Sequence, residues 1–440
     1  MGYREAIASQ GPALSARSLP TRCAVGDKRV LIVGSGGREH AIGIALAASP
    51  EVGNIAFAGG DNAGLSAIAK SLPADAAESA NPADFDLVVI GPEAPLVDGL
   101  ADRLRAKGLT VFGPSEAAAQ LEGSKAFTKR VAERYGIPTA RAIICETRDE
   151  AMAAIADFGV PVVVKADGLA AGKGVTVAET VDEATAAVNS AFEGAFGSAG
   201  HRVVVEEKLT GPEVSLFALC DGVTVRPLAT ARDYKRAYDG DLGPNTGGMG
   251  AVSPAPGVSE ALVEEAMATI ARPAIDGLRA EGTPYNGVLY VGLMLTDQGP
   301  KLIEFNVRFG DPEAQVILTQ LGPRTYRALY ATATGTLADA DLRLSDGVCV
   351  GVVAAAENYP TGSAKDEPMS GLDAMAAMGV SVMHAGTRSV DGDVHANGGR
   401  VLAVVGQGTT TEAAREKVYT ALSALDWPGG RWRSDIAAPD

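Results

Sequence analysis

The chain is short of the residues on which many active sites are built. Its 440 residues include only four cysteines, Cys23, Cys145, Cys220 and Cys349, and four histidines, His40, His201, His384 and His395. The cysteines lie far apart and form no C-x-x-C pair, so neither a zinc site nor a disulfide framework is indicated, and a reducing, cytoplasmic compartment is the expectation. None of the histidines has a neighbour suited to a metal site or a histidine-dependent triad. Long apolar runs are missing as well. None reaches the roughly 18 residues that span a bilayer, so no membrane segment is expected. Positive charge is also scarce: a net charge of −16 argues against a nucleic-acid surface, which needs a basic face. A few local lysines and arginines would still suffice for a small anionic substrate.

What is present, 46% hydrophobic and 21% charged residues, describes a globular chain with ample core, long enough for three or four domains. Residues 1–27 show no clear periodicity and read as a disordered leader. From Lys28, KRVLIVG is a buried-strand pattern, followed by GSGGREH and the apolar AIGIALA of a helix. Gly34 and Gly36 fill two positions of a dinucleotide fingerprint, but Glu39 stands where its third glycine belongs. The strand DLVVIG runs into Gly91-Pro92-Glu93, where ligands collect in parallel sheets, although Glu93 could equally cap a helix. The α/β alternation over 28–123 predicts a Rossmann-like domain. Ser124 caps a helix that carries Lys125 in its first turn, where the helix dipole disfavours a cation, so an anionic ligand is expected there, although an exposed lysine would tolerate the position. Residues 124–335 read as a second region with a compact α/β insert at about 141–210, and 336–440 as a small α+β domain.

Two stretches carry most of the chemistry. VVVKADGLAAGKGV (162–175) is a β-branched run ending on Lys165, followed by a glycine-rich loop with Gly168, Gly172, Lys173 and Gly174. It fails as a P-loop, because Asp167 stands where glycine is needed and Gly174 where serine or threonine is needed. On its own it fits a plain turn as well as a phosphate loop. In KLIEFNVRFGDPE, strand alternation points Ile303, Phe305 and Val307 one way and Glu304, Asn306 and Arg308 the other. A carboxylate and an amide oxygen are hard donors of the kind Mg²⁺ prefers, and a guanidinium can clamp a phosphate or carboxylate. A half-exposed polar edge strand would show the same pattern.

Taken in order, EGSKAF, VVVKADGLAAGKGV, VVVEEKL, PNTGGMGA and IEFNVRFGDPE resemble an ATP-grasp ligase. With GSGGREHA, VVIGPEAPL, FGPSEAAAQLEGSKAFTK and NGGRVL, the resemblance narrows to the glycinamide ribonucleotide synthetase family, from about Lys28 almost to the C-terminus. Each motif is weak alone; the ordered set is specific. The resemblance implies an ATP-grasp fold, with a small lid subdomain and a larger α+β subdomain, between a Rossmann-like domain and a small C-terminal domain. It implies ATP-dependent ligation of glycine to 5-phosphoribosylamine, with Mg²⁺ or Mn²⁺, by a monomer or weak homodimer, without nucleic acid or membrane.

By the same resemblance, Lys125 and Lys165 would meet the ATP phosphates, under a loop from Gly168 through Gly172 and Lys173 to Gly174. Glu206, Glu207 and Leu209 would contact the adenine and Glu213 the ribose. Glu304 and Asn306 would hold the metal. Gly36, Gly37, Glu93 and Arg308, with Asp233 and Asp311, would bind phosphoribosylamine, and Lys165 and Arg308 would be catalytic. Glycine would sit near PNTGGMG. One family stretch, S-Q-D-H-K-R, is replaced by Ala231-Arg232-Asp233-Tyr234-Lys235-Arg236, so the resemblance implies no contacts through its Gln and His positions. The alternatives are another ATP-grasp carboxylate–amine ligase acting on a phosphoribosyl substrate, and a nicotinamide-dependent dehydrogenase using GSGGREH. No Ala-Met-Lys-Met biotin-attachment site favours a carboxylase.

Overall fold

The computed structural model describes residues 26–169, 174–195 and 200–439. The expected leader falls almost wholly outside them, as do Gly172 and Lys173 of the glycine-rich loop. The N-terminal strands β1 (Lys28–Val33), β2 (Val52–Ala58), β3 (Lys70–Leu72), β4 (Leu87–Ile90) and β5 (Val111–Phe112) form a parallel sheet in the order β3-β2-β1-β4-β5. The strand order reverses beside β1, so the turns after β1 and β4 open into one crevice, the usual ligand position in such sheets. β4 and the buried part of β1 from Val30 are apolar because both faces of the sheet are covered.

Residues 142–207 build a four-stranded antiparallel sheet from β6 (Ala142–Cys145), β7 (Val162–Ala166), β8 (Val175–Ala178) and β9 (Val203–Glu207), in the order β6-β9-β7-β8. Two helices cover it. Arg148–Phe158 is capped by Thr147 with Glu150 closing a capping box, and Val181–Phe192 is capped by Thr180. This unit has its own core of small and β-branched residues, including Cys145, Ala154, Val164, Val188 and Val205.

The largest sheet gathers β10 (Glu213–Asp221), β11 (Val225–Asp233), β14 (Gly250–Ser253), β15 (Asn286–Thr296) and β16 (Gly299–Asn306) with strands of the C-terminal segment. A short ribbon, β12 (Arg236–Tyr238) with β13 (Leu242–Asn245), lies between β11 and β14 in sequence. The C-terminal strands are β17 (Val348–Ala356), β18 (Glu367–Pro368), β19 (Ser381–His384), β20 (Thr387–Val390), β21 (Asp393–Ala396), β22 (Arg400–Gly408) and β23 (Gly430–Arg431). The sheet order is β16-β15-β10-β11-β14-β17-β22-β19. β17, β22, β19 and β23 therefore join the same sheet through β14–β17 pairing, which brings Arg400 beside the loop that precedes β14, whereas β18, β21 and β20 form a separate three-stranded sheet. No described helix is long and apolar enough to cross a membrane.

One sequence expectation fails here. The register between β15 and β16 slips between Gly292 and Leu293, leaving Ile303 as an extra residue between Leu302 and Glu304. Ile303 does not join Phe305 and Val307 in the core; Leu302 does, while Ile303 and Glu304 both line a cleft. Bulges of this kind re-aim side chains next to sites. Arg308 also lies beyond the end of the strand, which stops at Asn306.

Candidate active site

A cleft of about 380 Å³ lies where the three regions meet. At one end Lys125, Lys129, Lys165, Gly168, Gly174 and Glu206 line it; toward the other come Glu304, Asn306, Arg308, Glu93, Arg38, Asp311 and Arg400. Lys165 projects from the buried strand β7, and its Nζ lies 2.9 Å from Glu206 Oε2 and donates to the Ile303 carbonyl at 3.2 Å. Glu206 Oε1 lies 3.2 Å from Lys129 Nζ, so one buried carboxylate holds two lysines. Lys129 also donates to Thr139 Oγ1 and the Ala140 carbonyl. Such a group would be costly to bury alone, and the charges here are paired and hydrogen-bonded.

Lys125 donates to the Gly168 carbonyl at 2.9 Å, tying the helix start to the glycine-rich loop. Where the sequence points to an anionic ligand at this helix start, the anion in the structure is a side chain of the protein. Asp167 accepts from Ser124 Oγ at 2.9 Å and from the Ala126 amide at 3.0 Å, and Arg202 lies 3.2 Å from it. Burial pulls the Lys125 pKa below the usual lysine range. Gly168 has φ +127°, a conformation that glycine adopts without strain.

Glu304 is half-buried on β16. Burial alone would raise its pKa, but Lys235, Lys165, Lys125 and Arg308 outweigh it and hold the carboxylate ionised. Asn306 Oδ1 accepts from Arg308 Nη2 at 3.1 Å. No cluster of three or more acidic, histidine or cysteine side chains suited to a metal occurs among the described residues. One ionised carboxylate and one amide oxygen, with space beside the lysines, nevertheless fit an ion whose other donors come from phosphate and water.

Arg308 is held from two sides. Its Nη2 donates to Glu122 Oε1 at 2.8 Å, and its Nε lies 3.3 Å from Glu93 Oε2. Glu122 also accepts from the Val307 amide at 2.8 Å. Arg38 donates to the Phe309 carbonyl and to Glu39. The Gly36 amide donates to Glu39 Oε2 at 2.7 Å. Glu39 thus puts a carboxylate where a dinucleotide pyrophosphate would have to lie. Gly91 accommodates it, since a Cβ there would fall 2.0 Å from Glu39 Oε1. The Gly36–Gly37 turn does not line the cleft itself but packs behind Asp311; a Cβ on Gly37 would meet Asp311 Oδ1 at 3.4 Å. Asp311 is 3.3 Å from Arg400 and accepts from Gln315 at 2.8 Å. Burial opposes its charge, yet Arg400 and Arg38 keep its pKa below the usual range.

Of the other expected residues, Asp233 lines the cleft, whereas Glu207, Leu209 and Glu213 lie outside its lining. Glu207 accepts from the Arg141 amide, and Glu213 is exposed and paired with Lys235. Sequence reasoning missed Arg38, Glu122, Lys129, Lys235, Glu313 and Arg400. All six sat inside stretches singled out above (GSGGREHA, FGPSEAAAQLEGSKAFTK, Ala231–Arg236, IEFNVRFGDPE and NGGRVL), so their position was a usable signal.

A cleft with a lysine-lined end, two hard oxygen donors and an arginine-rich far end is assembled from three consecutive regions. Three family models match those regions: the phosphoribosylglycinamide synthetase N domain over 28–122, the ATP-grasp (A) domain over 123–314 and the C domain over 349–439. The chain belongs to the phosphoribosylglycinamide synthetase family. It is 49% identical over 413 residues to a phosphoribosylamine–glycine ligase of Mesorhizobium japonicum, covering 92% of this chain and 97% of that one. A ligase of the same name from Streptomyces coelicolor is 48% identical over 420 residues, with 93% and 99% covered. The solved phosphoribosylamine–glycine ligase of Thermotoga maritima superposes with a TM-score of 0.83 at 36% identity, over 93% of this chain and all of that one. A biotin carboxylase domain from Hydrogenobacter thermophilus, solved with MgADP, shares the fold at a TM-score of 0.70 and 18% identity, over 92% and 91% of the two chains. The ATP-grasp architecture expected from the ordered motifs is therefore present, with the family's domains in the family's order.

Proposed function

We propose that the chain ligates glycine to 5-phosphoribosylamine with ATP, giving glycinamide ribonucleotide, ADP and phosphate, a step of purine biosynthesis. The observation that carries this reading is the meeting, in one cleft, of Lys125, Lys165, Glu304 and Asn306 with the Glu93–Arg308–Asp311–Arg400 cluster. One end suits a triphosphate and the other a second, phosphorylated substrate, with room between them for a small acid.

A carboxylate is a poor electrophile. Transfer of the γ-phosphoryl group to a glycine carboxylate oxygen gives glycyl phosphate and ADP. The sugar amine then attacks the acyl carbon, the C–N bond forms, and phosphate leaves with the C–O bond electrons. Phosphoryl transfer depends on positioning and charge neutralisation, which Lys125 and Lys165 supply without a nucleophilic side chain. Glu304 and Asn306 would hold Mg²⁺ or Mn²⁺, which when bound neutralises charge on the phosphates. The Gly168–Gly174 segment is assigned as a cover that keeps water from the acyl phosphate. Glu206, Glu207 and Leu209 are assigned to the adenine side, with Glu213 at the ribose. Arg308, Glu93, Asp311 and the Gly36–Gly37 turn are assigned to phosphoribosylamine. We place the enzyme in the cytoplasm, as a monomer or weak homodimer with small-molecule substrates only.

The test is product identification. Incubation with ATP, ¹³C-glycine and phosphoribosylamine yields labelled glycinamide ribonucleotide by mass spectrometry; ADP formed without that product would refute the reading.

A further inference from the structure

Among the described residues the strands β12 and β13 pair only with each other, and their flanks are exposed, Tyr238 by 50% and Leu242 by 64%. A lone two-stranded ribbon is marginal in water, so this one needs support from outside itself. Its base nevertheless forms a wall of the cleft. Lys235 precedes β12, Thr246 and Gly247 follow β13, and all three line the cleft. The Lys235 carbonyl accepts from the Thr246 amide at 2.7 Å and from Thr246 Oγ1 at 2.8 Å, which ties the two sides of the base together.

The support comes from the C-terminal segment that follows β23. The Arg433 side chain is 1% exposed. Its Nε and Nη2 donate to the two oxygens of Asp435, each at 2.7 Å. Its Nη1 donates to the Arg236 carbonyl at 3.0 Å and to Asp241 Oδ1 at 2.8 Å. The two-pronged pairing fixes the guanidinium plane, and the buried charge is neutralised. Neighbouring residues repeat the pattern. Asp435 accepts from the Gly240 amide at 2.8 Å, the Ser434 amide donates to Asp239 at 2.9 Å, and Arg431 donates to the Ala237 carbonyl at 2.7 Å. Arg433 also lies 5.4 Å from the ring centroid of Tyr234, the residue before Lys235.

We propose that Arg433 is a positioning residue for the ligation: by pinning the ribbon it holds Lys235 and the Thr246–Gly247 turn in the cleft wall, an inference that rests on the ligase reading above. The lysines of the nucleotide end stand on other elements, tied to Gly168 and Glu206, so ATP binding does not depend on the ribbon.

The experiment compares wild type, Arg433→Met and Asp241→Asn for glycinamide ribonucleotide formation, for ATP affinity by calorimetry, and for tryptic cleavage after Lys235 or Arg236 read by mass spectrometry. Asp241 is 55% exposed with φ +53°, a conformation asparagine tolerates, so its variant decides the matter where Arg433→Met is too unstable to purify. The kcat should fall at least tenfold in Arg433→Met and threefold in Asp241→Asn, with ATP affinity within threefold of wild type. Trypsin should cut the ribbon at least fivefold faster in both. An unchanged kcat in either folded variant, or ATP affinity falling in parallel with kcat, would overturn the positioning role. Wild type that releases ADP without making the product would instead overturn the ligase reading itself.

Discussion

Lys165 and Glu206 form an ion pair 2.9 Å long in which both side chains are about 5% exposed. Lys129 closes on the same carboxylate at 3.2 Å, and burial pulls its pKa below the usual lysine range. The nucleotide end of the cleft is thus preset: a phosphate arriving at Lys165 meets a cation already oriented by Glu206 and by the Ile303 carbonyl.

Glu206→Ala should be severely destabilising, because it leaves two lysines without their counter-charge. Breaking a buried pair by removing one partner costs about 3–5 kcal/mol. Urea unfolding measures this directly. A loss under about 1 kcal/mol, the range of an exposed pair, would mean that the lysines reach solvent.

Glu304→Ala should abolish ADP release at every Mg²⁺ concentration while leaving the far-ultraviolet circular dichroism unchanged. The carboxylate is ionised and faces Lys125, Lys165 and Lys235, so nothing in the cleft replaces it. Near-normal turnover at limiting Mg²⁺ would contradict the metal role.

Arg400 couples the C-terminal strands to the cleft by donating to the Gly247 carbonyl at 2.6 Å and facing Asp311 at 3.3 Å. Arg400→Met should lower kcat/KM for phosphoribosylamine at least tenfold, about 1.4 kcal/mol or more of transition-state stabilisation. ATP affinity should stay the same. Equal losses for both substrates would point to a general loosening instead.

His40 and His384 sit fully buried with ring centroids 5.4 Å apart, and the His384 amide donates to His40 Nδ1 at 2.7 Å. Burial lowers both pKa values from 6.5 to about 3. The unfolded chain therefore binds these protons first as pH falls. Their contribution is intact above pH 6.5 and is lost between 6.5 and about 3, by about 1.4 kcal/mol per pH unit for each histidine. Thermal unfolding from pH 8 to 4 should show a steep acid slope that flattens in His40→Asn. Identical slopes would exclude the pair as its source.

How far these features were legible differs residue by residue. The β-branched run at 162–166 and the apolar strand at 87–90 announce themselves, since both faces are covered. Lys125 was informative because a cation at a helix start conflicts with the dipole, although the neighbouring anion is Asp167 rather than only a ligand. The bulge at Ile303 was invisible, because alternation by itself assumes an unbroken ladder. Lys129 and Arg400 matter through partners 77 and 89 residues away, Glu206 and Asp311, which no local pattern encodes.

The most direct measurement is ADP release with ATP and Mg²⁺ while glycine and phosphoribosylamine are supplied singly and together. Release should be negligible without glycine and reach its full rate only with both. A rate that ignores glycine would contradict the account.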